Sequence, residues 1–130
     1  MLEGFCHCGG VRWSFEGVPD SVTACSCTIC RRYGALWAYD FDNERIKLSG
    51  ATTVYAWRDQ WLGFHFCARC GCVAYWRQTQ PGKEGRHRVG VNVRLAEPDA
   101  VASLPVQHHD GLQDHADFPL DGRRVADIWF

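Results

Sequence analysis

The chain has 130 residues, 46% of them hydrophobic and six of them Trp, so a single domain of this length can bury a core without help from disulfides. Its formal net charge of −1 lacks the basic excess of proteins that hold nucleic acid through phosphate contacts. No apolar stretch approaches the roughly 20 residues that a membrane span requires. Residues 1–5 show no signal-peptide pattern either, so we expect a cytoplasmic protein that does not bind membranes.

Alternating apolar residues predict short, half-buried strands along much of the chain. The alternating sets are Val11, Trp13 and Phe15, then Trp37, Tyr39 and Phe41, then Val89, Val91 and Val93. β-Branched and aromatic residues predict three more strands over 53–57, 64–67 and 73–76.

Helical signals are few. One short helix is predicted over 98–104, where Pro98 suits the first helical position. The tail over 107–130 is predicted to be irregular, with turns at the Asp-Gly pairs 110–111 and 121–122. The whole pattern indicates one mainly β domain over 1–130, built from short antiparallel sheets with at most one or two short helices.

All eight cysteines lie in three short clusters, at positions 6–8, 25–30 and 67–72. In a reducing cytosol such pairs are more often metal ligands or reactive thiols than disulfides. Their spacings also suit a tetrahedral metal, so we interpret the clusters as zinc ligands.

Cys67 and Cys70 have the spacing of a zinc knuckle, in which two thiolates hold one face of an ion and Gly71 frees the turn from Cβ strain. Cys6 and Cys8 are a suitable partner pair, because alternate residues of a strand point the same way. Four thiolates would make a closed, structural site. Other pairings of ligands between sites stay open at this point.

The middle cluster offers three thiolates, Cys25, Cys27 and Cys30, within six residues. Three ligands leave the fourth position of a zinc ion free, which is typical of a catalytic site. The alternative is a second structural site that one more side chain completes, for which the candidates are His65, His108, His109 and Cys72. For Cys72, which opens an apolar strand, a buried free thiol is the favoured interpretation.

Three motifs, GFCHCGGV at 4–11, CSCTICR at 25–31 and FCARCG at 66–71, resemble those of the glutathione-dependent formaldehyde-activating enzyme and centromere protein V family. The resemblance covers the order and spacing of all three motifs across about the first 75 residues. It implies a β-tent fold with a structural zinc at Cys6, Cys8, Cys67 and Cys70. It also implies a catalytic zinc at Cys25, Cys27 and Cys30.

The resemblance implies a reaction as well. Glutathione and formaldehyde combine to S-hydroxymethylglutathione, which is a carbon–sulfur lyase reaction when written in reverse. One departure is Ser26, since the family commonly has His between the first two cysteines of this run. The expected partners are thus a small thiol and an aldehyde, with glutathione as a possible co-substrate.

The hypothesis for the mechanism is that the free zinc position takes a substrate sulfur as thiolate, which attacks an aldehyde carbon. Arg31 or Arg32 would offset the local negative charge or bind a substrate carboxylate. The alternative for both is that they are ordinary surface arginines.

Two other functions fit the same cysteines. One is a non-catalytic zinc-binding β-tent module for protein interaction, and the other is a redox protein that uses the middle cysteines directly. His108, His109 and His115 are interpreted as residues of a surface turn rather than of a pocket. The remaining large aromatics are expected in the core or in a cleft wall; these are Trp37, Tyr39, Trp57 and Trp61.

Overall fold

The computed structural model describes all 130 residues as two β-sheets with three short helices. The strands are β1 (Leu2–Phe5), β2 (Arg12–Phe15), β3 (Val22–Cys25), β4 (Trp37–Phe41), β5 (Ile46–Ser49), β6 (Thr52–Ala56), β7 (Leu62–Cys67), β8 (Val73–Gln78), β9 (Arg88–Asn92) and β10 (Val106–His109). The helices are α1 (Cys30–Tyr33), α2 (Pro98–Val101) and α3 (Val125–Trp129), and 3-10 turns lie at Lys83–Gly85 and Val93–Leu95. None of the helices has the length and apolar character that crossing a bilayer takes.

The prediction of a mainly β fold is confirmed, with three helices of four or five residues where one or two were expected. All six predicted strands are present, as β2, β4, β6, β7, β8 and β9. Val93 leaves the predicted run and begins a 3-10 turn, because the side chain of Asn92 accepts a hydrogen bond from the amide of Arg94. Helix α2 ends before the predicted boundary, since Leu104 precedes Pro105 and a residue before proline disfavours helical geometry.

The prediction of an irregular tail is wrong at two places. Strand β10 pairs in parallel with β3, and α3 closes the chain near its end. The turn residues near 110 and 121 indicated only loops. The sequence pattern did not reveal β10, because its partner β3 lies more than eighty residues earlier in the chain.

The two sheets have different sizes. The small sheet has the order β1-β2-β5, and the large sheet has the order β10-β3-β4-β9-β8-β7-β6. Every pair of neighbouring strands is antiparallel except β10 and β3. The larger core cluster combines residues of both sheets, with Trp13 and Phe15 from the small sheet and Val91 from the large one. Burying each such side chain contributes roughly 1.5–3 kcal/mol.

Gly4 shows how closely the small sheet packs. It pairs with Trp13 across the β1–β2 hairpin, and any Cβ at this position would overlap the indole ring. The glycine therefore lets the largest side chain of the sheet turn into the core.

A second, smaller core cluster lies near the start of α1. It contains Cys30, Ala35, Trp37, Phe64 and Trp76. Helix α1 is a single turn that ends at Gly34, whose φ of 63° is left-handed and therefore suits glycine. This short helix fixes Cys30 against the large sheet, and the candidate site is built around it.

Candidate metal centres and the adjoining cavity

The structure brings Cys6, Cys8, Cys67 and Cys70 together, and their sulfur atoms all lie within 4.8 Å of one another. The sulfur of Cys8 lies 3.6 Å from that of Cys6 and 3.5 Å from that of Cys67. Tetrahedral zinc with bonds of about 2.3 Å places its sulfur ligands about 3.8 Å apart. This set, called the four-cysteine cluster below, therefore has the donor type and the spacing that fit a zinc ion.

The four-cysteine cluster joins two hairpin tips that belong to different sheets. At the first tip the amide of Cys6 donates a hydrogen bond to the carbonyl of Val11 over 3.0 Å. At the second tip the amide of Cys67 donates to the carbonyl of Cys72, also over 3.0 Å. Gly71 has a φ of 79°, which allows the second tip to turn back tightly. The cluster thus ties the small sheet to the large one.

Backbone amides favour the thiolate form of Cys67 and Cys70. At the other tip the amide of Gly10 acts in the same direction on Cys8, but the sulfurs of Cys67 and Cys6 outweigh it and raise the pKa of Cys8 to about 11. The amides of Cys72 and Cys8 donate to the sulfur of Cys70 and lower its pKa to about 5. The amides of Cys70 and Arg69 likewise lower the pKa of Cys67. Because the thiolate is the form that ligates metals, the lowered pKa values of Cys67 and Cys70 favour the binding of a cation at this tip.

Cys72 lies next to the four-cysteine cluster but is not part of it. Its side chain is half-buried and packs on the main core, so it is less enclosed than the predicted buried thiol. Nothing in its position indicates a ligand.

Cys25, Cys27 and Cys30 form a second group, called the three-cysteine cluster below, whose sulfur atoms also lie within 4.8 Å of one another. Cys25 ends β3, Cys27 lies in the following turn and Cys30 begins α1. The amide of Cys30 donates to the sulfur of Cys27 over 3.3 Å, and the indole of Trp37 donates to that of Cys30 over 3.4 Å. Three soft sulfur donors around one point also fit a zinc ion.

The pKa values of Cys27 and Cys30 are shifted in opposite directions. Hydrogen bonds from Cys25 and Cys30 hold the pKa of Cys27 far below its ordinary value. The same neighbours, Cys25 first, together with burial, raise the pKa of Cys30. The lowered pKa of Cys27 favours its thiolate, which is the form that ligates a metal cation.

Gly111 is a site residue that the sequence did not single out beyond its turn signal. A Cβ at this position would lie 2.6 Å from the Cβ of Cys27 and 2.7 Å from the sulfur of Cys25. The loop after β10 can therefore touch the three-cysteine cluster only with glycine at 111. Asp110 holds the same loop, since its carboxylate accepts hydrogen bonds from the amides of Gln113 and Asp114.

A cavity of about 500 Å³ opens beside the three-cysteine cluster, and all three of its cysteines line it. Six aromatic side chains line it too: Trp37, Tyr39, Trp57, Trp61, Phe64 and Trp76. The four aromatics expected in the core or in a cleft wall are among them. Burial raises the pKa of Tyr39, so that its hydroxyl stays protonated in the cavity.

The histidines separate into those at the cavity and those away from it. His109 and His115 line the cavity, which corrects their interpretation as residues of a surface turn only. His109 lies on β10, and its Nδ1 is 2.8 Å from Oδ1 of Asp117. His65 lies elsewhere, where it hydrogen-bonds Thr52 over 2.8 Å.

The candidates for a fourth ligand of the three-cysteine cluster do not join it. No histidine nitrogen and no further sulfur belongs to the group of atoms within 4.8 Å. His108 lines a different, smaller pocket, and its Nε2 is buried without a partner. The three-cysteine cluster is thus open on the side of the cavity.

Arg31 and Arg32 lie beside the cluster but do not line the cavity. Arg31 donates to the carbonyl of Ser26 over 3.2 Å, and Arg32 donates to the carbonyl of Thr28 over 2.7 Å. Both guanidinium groups hold the cysteine loop from outside. Their binding of a substrate carboxylate stays a prediction.

Comparison with known proteins gives a family, a relative and a fold. The model of the family described as "Glutathione-dependent formaldehyde-activating enzyme" matches residues 1–104. A Halomonas elongata protein named "Putative glutathione-dependent formaldehyde-activating enzyme" is 31% identical over 86 residues, which are 58% of this chain. The match spans 55% of that relative's own length.

A crystal structure of a Rhodobacter sphaeroides protein has a similar fold, with a TM-score of 0.61 at 24% sequence identity. The match covers 81% of this chain and 99% of that one. At this identity the likeness concerns the fold alone.

Proposed function

Because the chain belongs to the glutathione-dependent formaldehyde-activating enzyme family, we propose that it is a zinc-dependent enzyme that makes and breaks a thiol–aldehyde adduct. The adduct to which the family's name points is S-hydroxymethylglutathione, and its breakdown is a carbon–sulfur lyase reaction. The observation that carries the proposal is the open three-cysteine cluster in the wall of an aromatic cavity.

The two clusters have different roles in this proposal. Four thiolates complete a tetrahedral shell, so the four-cysteine cluster would hold a structural zinc. The three-cysteine cluster would hold the catalytic zinc, which when bound supplies a Lewis acid that lowers the pKa of a substrate thiol.

The reaction is an addition that needs no further reactant. A bond forms between the thiol sulfur and the aldehyde carbon, the second bond of the carbonyl breaks, and the proton of the thiol ends on the oxygen. An enzyme for this reaction must therefore move one proton from sulfur to oxygen.

His109 is the residue that we assign to this proton. Asp117 accepts from its Nδ1 at 2.8 Å, which leaves Nε2 without a protein partner and able to accept a proton. In the forward direction Nε2 takes the proton of the thiol and returns it to the oxygen of the adduct. The aromatic side chains in the wall lower the polarity around the reacting groups, which strengthens the electrostatic interactions in the cavity.

The test combines metal analysis with an adduct assay. Wild-type protein should contain two zinc ions per chain and accelerate the addition of glutathione to formaldehyde, followed by ¹³C NMR of the labelled aldehyde. Cys27→Ser should retain one zinc and its melting transition but lose the acceleration. Cys72→Ser is the matched control, because this sulfur lies outside both clusters, and it should retain two zinc ions and full activity.

Activity that survives in Cys27→Ser would exclude a catalytic role for the three-cysteine cluster. Wild-type protein with two tightly held zinc ions that accelerates no thiol–aldehyde pair would instead favour a non-catalytic zinc-binding module for protein interaction.

A further inference from the structure

Away from the three-cysteine cluster, the walls of the cavity are mostly apolar. Apart from the three cysteines, thirteen residues line it, and eight of these are aromatic or aliphatic. Glutathione is a charged tripeptide with two carboxylates and an ammonium group, and each buried charge needs a partner. The charged side chains available in the wall therefore decide whether this substrate fits.

The wall offers little to a carboxylate. Arg58 is the single Arg or Lys that lines the cavity, and its guanidinium carbon lies 4.2 Å from the ring centre of Trp57. The next residue, Asp59, also lines the cavity; it suits an ammonium group but would repel a carboxylate, so the two carboxylates of glutathione have one cation between them. Arg31 and Arg32, the other nearby cations, bind carbonyls of their own loop.

Three aromatic side chains of the wall are buried in the fold before any substrate arrives. Trp37, Phe64 and Trp76 expose only 1%, 2% and 8% of their surfaces. The rings of Trp37 and Phe64 are tilted against each other, with their centres 6.2 Å apart. This buried part of the wall favours a flat or branched apolar group, because these three side chains lose little conformational freedom on binding.

We propose that the thiol–aldehyde adduct used here carries an apolar group, aromatic or branched alkyl, instead of the glutathione peptide. This inference rests on the proposed function and concerns the same cavity. A volume of about 500 Å³ accommodates a small organic molecule of this kind. The apolar group can belong to the thiol or to the aldehyde, since both meet in one cavity.

The experiment compares four reactant pairs on the zinc-loaded protein. Benzyl mercaptan with formaldehyde carries the apolar group on the thiol, and 2-mercaptoethanol with benzaldehyde carries it on the aldehyde. Glutathione with formaldehyde and 2-mercaptoethanol with formaldehyde are the references. We expect kcat/KM to be about tenfold higher for at least one apolar pair than for glutathione, since burying a polar group without a partner costs about five- to 150-fold. Quenching of tryptophan fluorescence gives the affinity of each thiol independently of turnover.

Trp61 offers a variant that should reverse the preference without harming the fold. Its side chain is 54% exposed and lines the cavity, so Trp61→Arg removes an apolar contact and adds a cation. KM for the apolar pair should rise about two- to tenfold, the range that one aromatic contact contributes, while KM for glutathione falls. Val54→Arg is the matched control, since Val54 is 50% exposed and does not line the cavity.

The outcomes separate this inference from the proposed function. Glutathione that reacts and binds as well as the apolar thiol overturns the inference and leaves the proposed function standing. A preference that Trp61→Arg does not change, or that Val54→Arg changes equally, also overturns it. If no pair reacts faster than in buffer, the proposed function fails and this inference fails with it.

Discussion

The indole Nε1 of Trp37 donates a hydrogen bond to the sulfur of Cys30 over 3.4 Å, and the donor is 1% exposed. A hydrogen bond in such a buried place is electrostatically stronger than one at the surface. The same side chain lines the cavity, so one residue both supports the three-cysteine cluster and shapes the space beside it.

Replacing Trp37 by Phe should weaken zinc binding at the three-cysteine cluster by about tenfold, because partners that support metal ligands typically contribute this much. Phe retains an aromatic ring and removes only the N–H donor and part of the volume. Competition with a chromophoric chelator measures the affinity of each site. Trp76→Phe is the control, since Trp76 lines the same cavity without a hydrogen bond to a sulfur. Equal loss of zinc affinity in both variants would mean that zinc binding depends on the volume of the side chain and not on the N–H donor of Trp37.

Replacing Gly111 by Ala should disrupt the three-cysteine cluster while leaving the rest of the fold intact. The new Cβ would lie 2.6 Å from that of Cys27 and 2.7 Å from the sulfur of Cys25, so either the loop or the cysteines must move. We expect one zinc per chain instead of two, with little change in the melting temperature. Gly82→Ala should have no effect, because its nearest neighbours would lie at 3.6 Å. Two zinc ions in Gly111→Ala would contradict the close approach.

Local patterns were enough to find the strands and the cysteine motifs. The alternation of Val89 and Val91 and the spacing of Cys67 and Cys70 are properties of a few neighbouring residues, and the structure brings Cys67 and Cys70 to one hairpin tip. The spacing of Cys25, Cys27 and Cys30 also predicted the three-cysteine cluster, since one short turn lets its sulfurs converge. The pairing of the Cys6–Cys8 tip with the Cys67–Cys70 tip was one of several open pairings, because Cys8 and Cys67 lie 59 residues apart in the sequence.

The position of His109 shows what local patterns do not contain. It reaches the cavity because β10 pairs with β3, in a register that sets His109 beside Cys25. That pairing joins distant parts of the chain, while the neighbouring Asp110-Gly111 turn suggested only a loop. The need for glycine at 111 is equally non-local, since it depends on Cys25 and Cys27.

His109→Gln should lower kcat for adduct formation by about 10²- to 10⁴-fold, the usual contribution of a positioned acid or base. Asp117→Asn should have a smaller effect, because the carboxylate is 61% exposed and only orients the ring. Zinc content should stay unchanged in both variants. The change in the pH profile of kcat distinguishes loss of the proton carrier from loss of structure.

The control for His109 is its neighbour on the same strand. His108→Gln changes a histidine that lines a different pocket, so it should leave kcat unchanged. A His109→Gln variant as active as wild type would remove this residue from the mechanism without affecting the assignment of the cysteines.

The carboxylate of Asp110 should be needed for order in the loop that carries Gly111. It accepts hydrogen bonds from the amides of Gln113 and Asp114 at 3.0 and 3.2 Å, and these amides lower its pKa. Asp110→Asn replaces one accepting oxygen by a donor, so the amides of Gln113 and Asp114 should exchange faster with deuterium. Asp114→Asn changes an exposed carboxylate on the same loop and should leave the exchange rates as they are. Unchanged exchange in Asp110→Asn would show that the loop is held by its backbone contacts.

The two cysteine clusters should differ in what they contribute to stability. The four-cysteine cluster connects the β1–β2 tip to the β7–β8 tip, so losing a ligand there removes the metal link between the two sheets and leaves only the core that they share. Cys70→Ser should lower the melting temperature by about 10 °C or more, since a structural zinc contributes folding free energy and each kcal/mol shifts a domain of this size by several degrees. Cys27→Ser should lower it far less, because the three-cysteine cluster lies within one short stretch of chain. Differential scanning calorimetry measures the melting temperatures of both variants, with Cys72→Ser as the control. A larger loss in Cys27→Ser than in Cys70→Ser would reverse the structural and catalytic assignments.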